Sequence, residues 1–160
     1  MFGSEAAAPL RVLFLCTHNS ARSQMAEGML RAWGGDGYVV RSAGTQATSV
    51  RPQTITVMDE LGIDLLSHAS EHLLRYLGEP FDWVITVCED ARETCPAVPG
   101  ANAQEHRAFE EPSAAAGTQE ERLTVFRRVR DEIAARIREF LRRREEPVTT
   151  PPSAAGPGPA

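Results

Sequence analysis

The chain contains no lysine. All 17 of its basic residues are arginine, which excludes any mechanism that needs a lysine base or a Schiff base. No apolar run approaches the ~18 residues of a membrane-spanning helix. The opening MFGSEAAAPL lacks a positive n-region and a long apolar stretch, so it does not read as a secretory signal. A soluble cytoplasmic protein is expected, with no membrane partner. Positive charge is also in deficit. The formal net charge is −5, which argues against broad nucleic-acid binding. Cysteine is scarce: Cys16, Cys88 and Cys95 are the three present. An odd number, without a secretory signal, is not a disulfide framework. Nor does the spacing suit structural zinc, whose paired cysteines usually sit about two to four residues apart.

What remains is ordinary globular material. The 160 residues are 42% hydrophobic and 24% charged, enough for one domain. Residues 1–9 read as a flexible lead and residues 10–145 carry the periodic pattern. Residues 146–160 hold Pro147, Pro151, Pro152, Pro157 and Pro159 and read as a flexible tail.

Within 10–145 the pattern alternates. Leu10–Leu15 is a short apolar run suited to a central parallel strand. Met25, Ala26, Met29, Leu30 and Trp33 recur at helical spacing, stopped by Gly34 and Gly35. Tyr38–Ser42 reads as a second strand. Pro52 opens a helix with Ile55, Met58 and Leu61 on one face and Gly62 as its cap. Ser70 caps a short helix, Glu71–Leu77. Phe81–Val87 is a third strand, and a fourth lies near Gln104–Phe109. A long helix, Glu120–Arg143, turns Leu123, Phe126, Val129, Ile133, Ile137, Phe140 and Leu141 inward. Strands separated by helices predict an α/β fold: an open four-stranded parallel sheet with helices on both faces. Ligands in such sheets sit beyond the carboxyl ends of the strands. Cys16 follows the first strand and Cys88 closes the third.

The segment Cys16-Thr17-His18-Asn19-Ser20-Ala21-Arg22-Ser23 joins the first strand to the first helix. Its composition suits a tetrahedral oxyanion. A turn of small residues can aim successive backbone N–H groups into a nest, and the helix N-terminus adds partial positive charge. Arg22 offers a planar fork of donors, and Ser20 and Ser23 offer hydroxyls. The same field favours the thiolate of Cys16, which makes it a nucleophile toward the bound centre.

These residues carry a resemblance. VLFLCTHNSARSQMAEG resembles the active-site loop of arsenate reductases built on the low-molecular-weight tyrosine phosphatase fold. WVITVCEDARETCPAVPG resembles their redox segment, and HRAFEEP their general-acid loop. The match covers roughly residues 10–143. It implies that the first and third strands are neighbours, so that Cys16 and Cys88 emerge side by side. The implied substrate is arsenate, with phosphate or sulfate as analogues. Cys16 attacks arsenate, Cys88 attacks Cys16 and expels arsenite, and Cys95 attacks Cys88 to free Cys16. Two thiols becoming one disulfide supply the two electrons. The implied reductant is thioredoxin, and no tightly bound cofactor is expected. Cys88 and Cys95 are separated by about 10.5 Å of rise if the segment between them is helical. A disulfide spans only about 4.4–6.8 Å between Cα atoms, so bond formation requires unwinding.

The resemblance also implies a general acid before Pro112. The family has Asp there; this chain has Glu111, one methylene longer, preceded by Glu110. A potassium ion is implied near Asn19, Glu27, Ser42 and Glu71, the last usually Asp in better-matched relatives. His18 bounds the loop, and His68, His72 and His106 read as capping or packing residues. Arg142–Arg144 sit at a helix C-terminus, where cations favour the dipole, rather than forming a nucleic-acid patch. A monomer is expected. Two other readings stand beside arsenate reduction. One is a low-molecular-weight tyrosine phosphatase, in which Cys88 and Cys95 have no task. The other is a non-catalytic oxyanion or redox sensor.

Overall fold

The computed structural model describes residues 8–88, 98 and 100–145. Its elements follow the chain as β1 (Leu10–Cys16), α1 (Arg22–Gly34), β2 (Tyr38–Gly44), α2 (Pro52–Asp59), β3 (Phe81–Thr86), β4 (Ala101–His106) and α3 (Gln119–Glu145). Short 3-10 turns cover Leu73–Tyr76 and Pro112–Ala114. The four strands form one parallel sheet in the order β2-β1-β3-β4.

β1 is the centre of that sheet because both its faces are apolar. Val12, Phe14 and Cys16 join one core cluster, Leu13 and Leu15 the other, and all five are buried. A parallel strand covered on both sides reads as a continuous hydrophobic run. The larger cluster receives Met25, Ala26, Met29 and Leu30 of α1, Val57 and Met58 of α2, and Leu123, Phe126, Val129, Ile133 and Ile137 of α3. Leu73, Tyr76, Phe81, Val84 and Val98 cover the opposite face with Leu13 and Leu15. Full burial of one such aliphatic side chain contributes about 1.5–3 kcal/mol, so this two-sided packing fixes where β1 ends. Arg130 ties α3 to α2, donating to the Val57 carbonyl (2.9 Å) and to Glu60 (2.7 Å). No helix of the described residues is long and apolar enough to cross a membrane.

The sequence reading needs four local corrections. The short helix expected at Glu71–Leu77 is a 3-10 turn, Leu73–Tyr76. His72 caps it, its Nδ1 accepting from the Leu74 N–H at 3.0 Å. Ser70 instead donates its hydroxyl to the Asn19 carbonyl. Leu61 is exposed beyond the end of α2, whose buried residues are Thr54, Val57 and Met58. Gly62 closes α2 as expected: at φ +78° its N–H donates to the Asp59 carbonyl (2.9 Å) and the following Ile63 N–H to the Met58 carbonyl (3.1 Å). β4 runs from Ala101 to His106, earlier than Gln104–Phe109, entered through Gly100 at φ +89°. Its residues have low strand propensity, and pairing with β3 decides the element.

Candidate active site

β1 and β3 run in register, Leu15 opposite Thr86, and the Val87 N–H donates to the Leu15 carbonyl at 2.9 Å. The two strands therefore deliver Cys16 and Cys88 to the same sheet edge, both buried. Cys16 is a free thiol and Cys88 is disulfide-bonded. Cys95, and the segment expected to unwind between Cys88 and Cys95, lie outside the described residues.

The Cys16–Ser23 loop is held from outside. The carbonyls of Cys16, Thr17, His18 and Ser20 accept from the N–H groups of Thr45 (3.3 Å), Gln46 (2.8 Å), Thr48 (3.2 Å) and Arg51 (3.1 Å). The Asn19 carbonyl accepts from Ser70 (2.7 Å), and the Ala21 carbonyl takes the first helical bond, from Met25 (2.8 Å). Six successive carbonyls are thus bonded to surrounding backbone and side chains. With its carbonyls held from outside, the loop has the backbone polarity an anion nest needs. Asn19 takes φ +53°, a left-handed conformation that Asn tolerates better than most residues. That twist aims its N–H at the Cys16 Sγ, 3.2 Å away. Ala21, the N-cap of α1, makes no side-chain cap bond.

Ser23 Oγ lies 2.8 Å from the Cys16 Sγ. It also accepts from the Asn19 side-chain amide at 2.7 Å. Either the Cys16 thiol or the Ser23 hydroxyl can donate in this contact. Thr17 and Ser20 belong to the same loop, and Ser20 is buried. His18 is half-buried and bounds the loop.

Arg22 opens α1 and is 1% exposed. Its Nη1 donates to the carbonyls of Phe109 (3.1 Å) and Val87 (3.4 Å), and its Nη2 to Glu111 Oε1 at 2.6 Å. Of the two acids before Pro112, Glu111 faces the site. Glu110 pairs at the surface with Arg128 of α3.

The four residues implied for potassium do meet. The Asn19 amide donates to Ser42 (2.9 Å), and Ser42 donates to Glu27 Oε1 (2.5 Å). The other Glu27 oxygen pairs with Arg31. Asn19 Oδ1 accepts from the Glu71 N–H (2.8 Å) and from Gln24 (3.0 Å). Glu71 enters through its backbone, while its carboxylate lies 3.5 Å from Arg75. These oxygens suit a hard cation by type, and they stand within one hydrogen-bonded network around the loop. Among the described residues no group of three or more His, Cys, Asp or Glu side chains could hold a metal.

Residues that the sequence reading passed over hold the loop in place. A β-carbon on Gly44 would meet the Thr17 carbonyl oxygen at 2.5 Å and the Asn19 nitrogen at 2.9 Å. Gln24 bridges Asn19 to the Ala69 carbonyl and to His68. Ser113 holds Glu111. Glycine ending a strand just before a turn was the available signal for Gly44; nothing local marks Gln24 or Ser113. A cavity of about 450 Å³ opens on the α3 side of the sheet, lined by Trp83, Phe109, Ile133 and Phe140 among others. It touches Phe109 but not Cys16.

A cysteine loop at the end of the central parallel strand, followed by a buried arginine at the first turn of a helix, matches one family model. This is the low molecular weight phosphotyrosine protein phosphatase family, matched over residues 11–149. The chain belongs to that family. It is 45% identical over 129 residues to an arsenate reductase of Halalkalibacterium halodurans, covering 81% of this chain and 93% of that protein. Its fold resembles an arsenate reductase solved in a phosphate-binding state, with TM-score 0.72 and 30% identity, covering 84% of this chain and 98% of that one. It also resembles the thioredoxin-dependent arsenate reductase of Corynebacterium glutamicum, with TM-score 0.63 and 27% identity, covering 88% and 65% respectively.

Proposed function

We propose that this family member reduces arsenate to arsenite and is regenerated by thioredoxin. The observation that carries the reading is the pairing of an oxyanion-type loop with a second, disulfide-bonded cysteine at the adjoining strand end. Cys16 is free inside the loop and Cys88 is disulfide-bonded beside it.

The residues support the following sequence of steps. Arsenate sits in the nest formed by Thr17, His18, Asn19, Ser20, Ala21 and Ser23, clamped by the Arg22 fork. Cys16 attacks arsenic, and one oxygen leaves as water, taking its protons from the substrate hydroxyl and from Glu111 acting as acid. Cys88 then attacks the Cys16 sulfur. The As–S electron pair stays with arsenic, which leaves as arsenite, and a Cys16–Cys88 disulfide forms. Cys95 attacks Cys88 and releases Cys16 as thiolate. The Cys88–Cys95 disulfide passes to an external dithiol. The cycle needs a reducing compartment such as the cytoplasm.

The phosphatase reading keeps one support: the loop suits any tetrahedral oxyanion, so a side activity on aryl phosphates is expected. Arsenate-dependent NADPH consumption with thioredoxin and its reductase tests the assignment. p-Nitrophenyl phosphate hydrolysis should be measured in parallel. Reduction by the parent protein supports it; hydrolysis without reduction rejects it.

A further inference from the structure

The Glu111 carboxylate bridges two partners that make different demands on it. Oε1 accepts from Arg22 Nη2 at 2.6 Å. Oε2 accepts from the Ser113 N–H at 2.9 Å and also from the Ser113 hydroxyl. Glu111 is thereby the N-cap of the Pro112–Ala114 turn, with its side chain closing that turn. The guanidinium end of this bridge is the fork that an oxyanion over Cys16 requires. Arg22 is buried, and a buried arginine holds a carboxylate strongly because an unpaired charge there is costly. Glu111 and the oxyanion are both anions, so they cannot share Nη2 without repulsion. An aspartate, one methylene shorter, would have less reach for spanning from Ser113 to Arg22.

We propose that Glu111 is an internal anion on the Arg22 fork which the substrate oxyanion displaces, and that Ser113 is the positioning residue that keeps the displaced carboxyl beside the reacting centre. This rests on the assignment of the loop to oxyanion binding. The exchange has a chemical use. Released from the guanidinium and facing a negatively charged ligand, the carboxylate takes a proton from solvent. That is the proton it then delivers to the leaving oxygen. The two donors of Ser113 are unaffected by the exchange, so the carboxyl stays on the turn instead of swinging into water. Binding of the oxyanion and arming of the acid become one event.

The test uses the full reduced chain, with inorganic phosphate as the binding probe and arsenate as substrate. Glu111→Gln removes the competing charge, and phosphate should bind about tenfold tighter, while arsenate kcat falls. Glu111→Asp, which keeps the charge and shortens the reach, should also tighten phosphate, though by less. Ser113→Ala keeps the Arg22 contact and loses one donor. Its phosphate affinity should stay within about twofold, its kcat should fall severalfold, and Ser113→Thr should restore kcat. Unchanged or weaker phosphate binding by both Glu111 variants would overturn the internal-anion role. Parental kcat in Ser113→Ala, or no rescue by Ser113→Thr, would overturn the positioning role. If the parent itself neither binds phosphate nor reduces arsenate, the loop assignment fails instead, and the two failures are distinct.

Discussion

Gly44 lies against the cysteine loop so closely that a β-carbon on it would stand 2.5 Å from the Thr17 carbonyl oxygen. The neighbour is backbone, and that carbonyl is itself held by the Gln46 N–H, so the loop has little room to yield. Gly44→Ala is therefore expected to destabilise the fold by about 1–3 kcal/mol, the usual range for overpacking. It should also weaken oxyanion binding, because the displaced atoms belong to the nest. Thermal unfolding and phosphate titration of the variant check both; an unperturbed loop would leave both unchanged.

Cys16→Ser should abolish arsenate reduction while the protein stays folded. A hydroxyl replaces the thiol, so no thiolate remains to bond arsenic. The Asn19 N–H and Ser23 hydroxyl would still have an oxygen to meet at that position. Arsenite formation and a circular dichroism spectrum measure the two halves of this expectation.

Arg22→Lys keeps the charge and loses the fork. Arg22 reaches two carbonyls and a carboxylate from two separate nitrogens, and a single ammonium cannot span them. Phosphate affinity should fall by about tenfold or more. A Lys variant that binds phosphate and turns over like the parent would remove Arg22 from the clamp.

Glu60 links α2 to α3 through Arg127 and Arg130. The hydrogen bond from Arg127, with further help from Arg130, holds its carboxyl below the ordinary value of 4.5. A lowered folded-state value means that the stabilisation is fully present above the ordinary carboxylate range. It is lost as pH falls through the lowered value. Glu60→Gln should therefore lower Tm at pH 7, and the gap to the parent should close in strong acid. A gap that is constant with pH would show that the pair contributes nothing through its charge.

The strand and helix order was legible because burial dictated it. β1 and β3 are apolar on both faces, and α3 keeps one apolar stripe over many turns. The position of the Cys16–Ser23 loop was legible because Cys16, Arg22 and Ser23 sit between a buried strand and a helix start. β4 was misplaced because Ala101, Asn102 and Ala103 have little strand propensity and are placed by β3. Ser70 and His72 exchanged roles for a similar reason: Ser70 is drawn away by the Asn19 carbonyl, a partner distant in sequence. The choice between Glu110 and Glu111 depended on where Arg22 and Arg128 lie in space, which adjacent carboxylates cannot reveal. The network of Asn19, Ser42 and Glu27 was legible as a grouping; which of them donates to which was not.

The relay makes a sharper demand than the loop. Cys95→Ser should complete about one turnover and stall as a Cys16–Cys88 disulfide, because no thiol remains to carry the disulfide outward. Phosphatase activity should survive, since it needs only Cys16, Arg22 and the acid loop. Free-thiol counts after one equivalent of arsenate, with peptide mapping of the bridge, follow this directly.

The most direct test of the whole account is NADPH consumption by the parent protein supplied with arsenate, thioredoxin and thioredoxin reductase. The account predicts sustained consumption that requires arsenate, with one arsenite released per NADPH. Hydrolysis of p-nitrophenyl phosphate without any arsenate-dependent consumption of NADPH would contradict it.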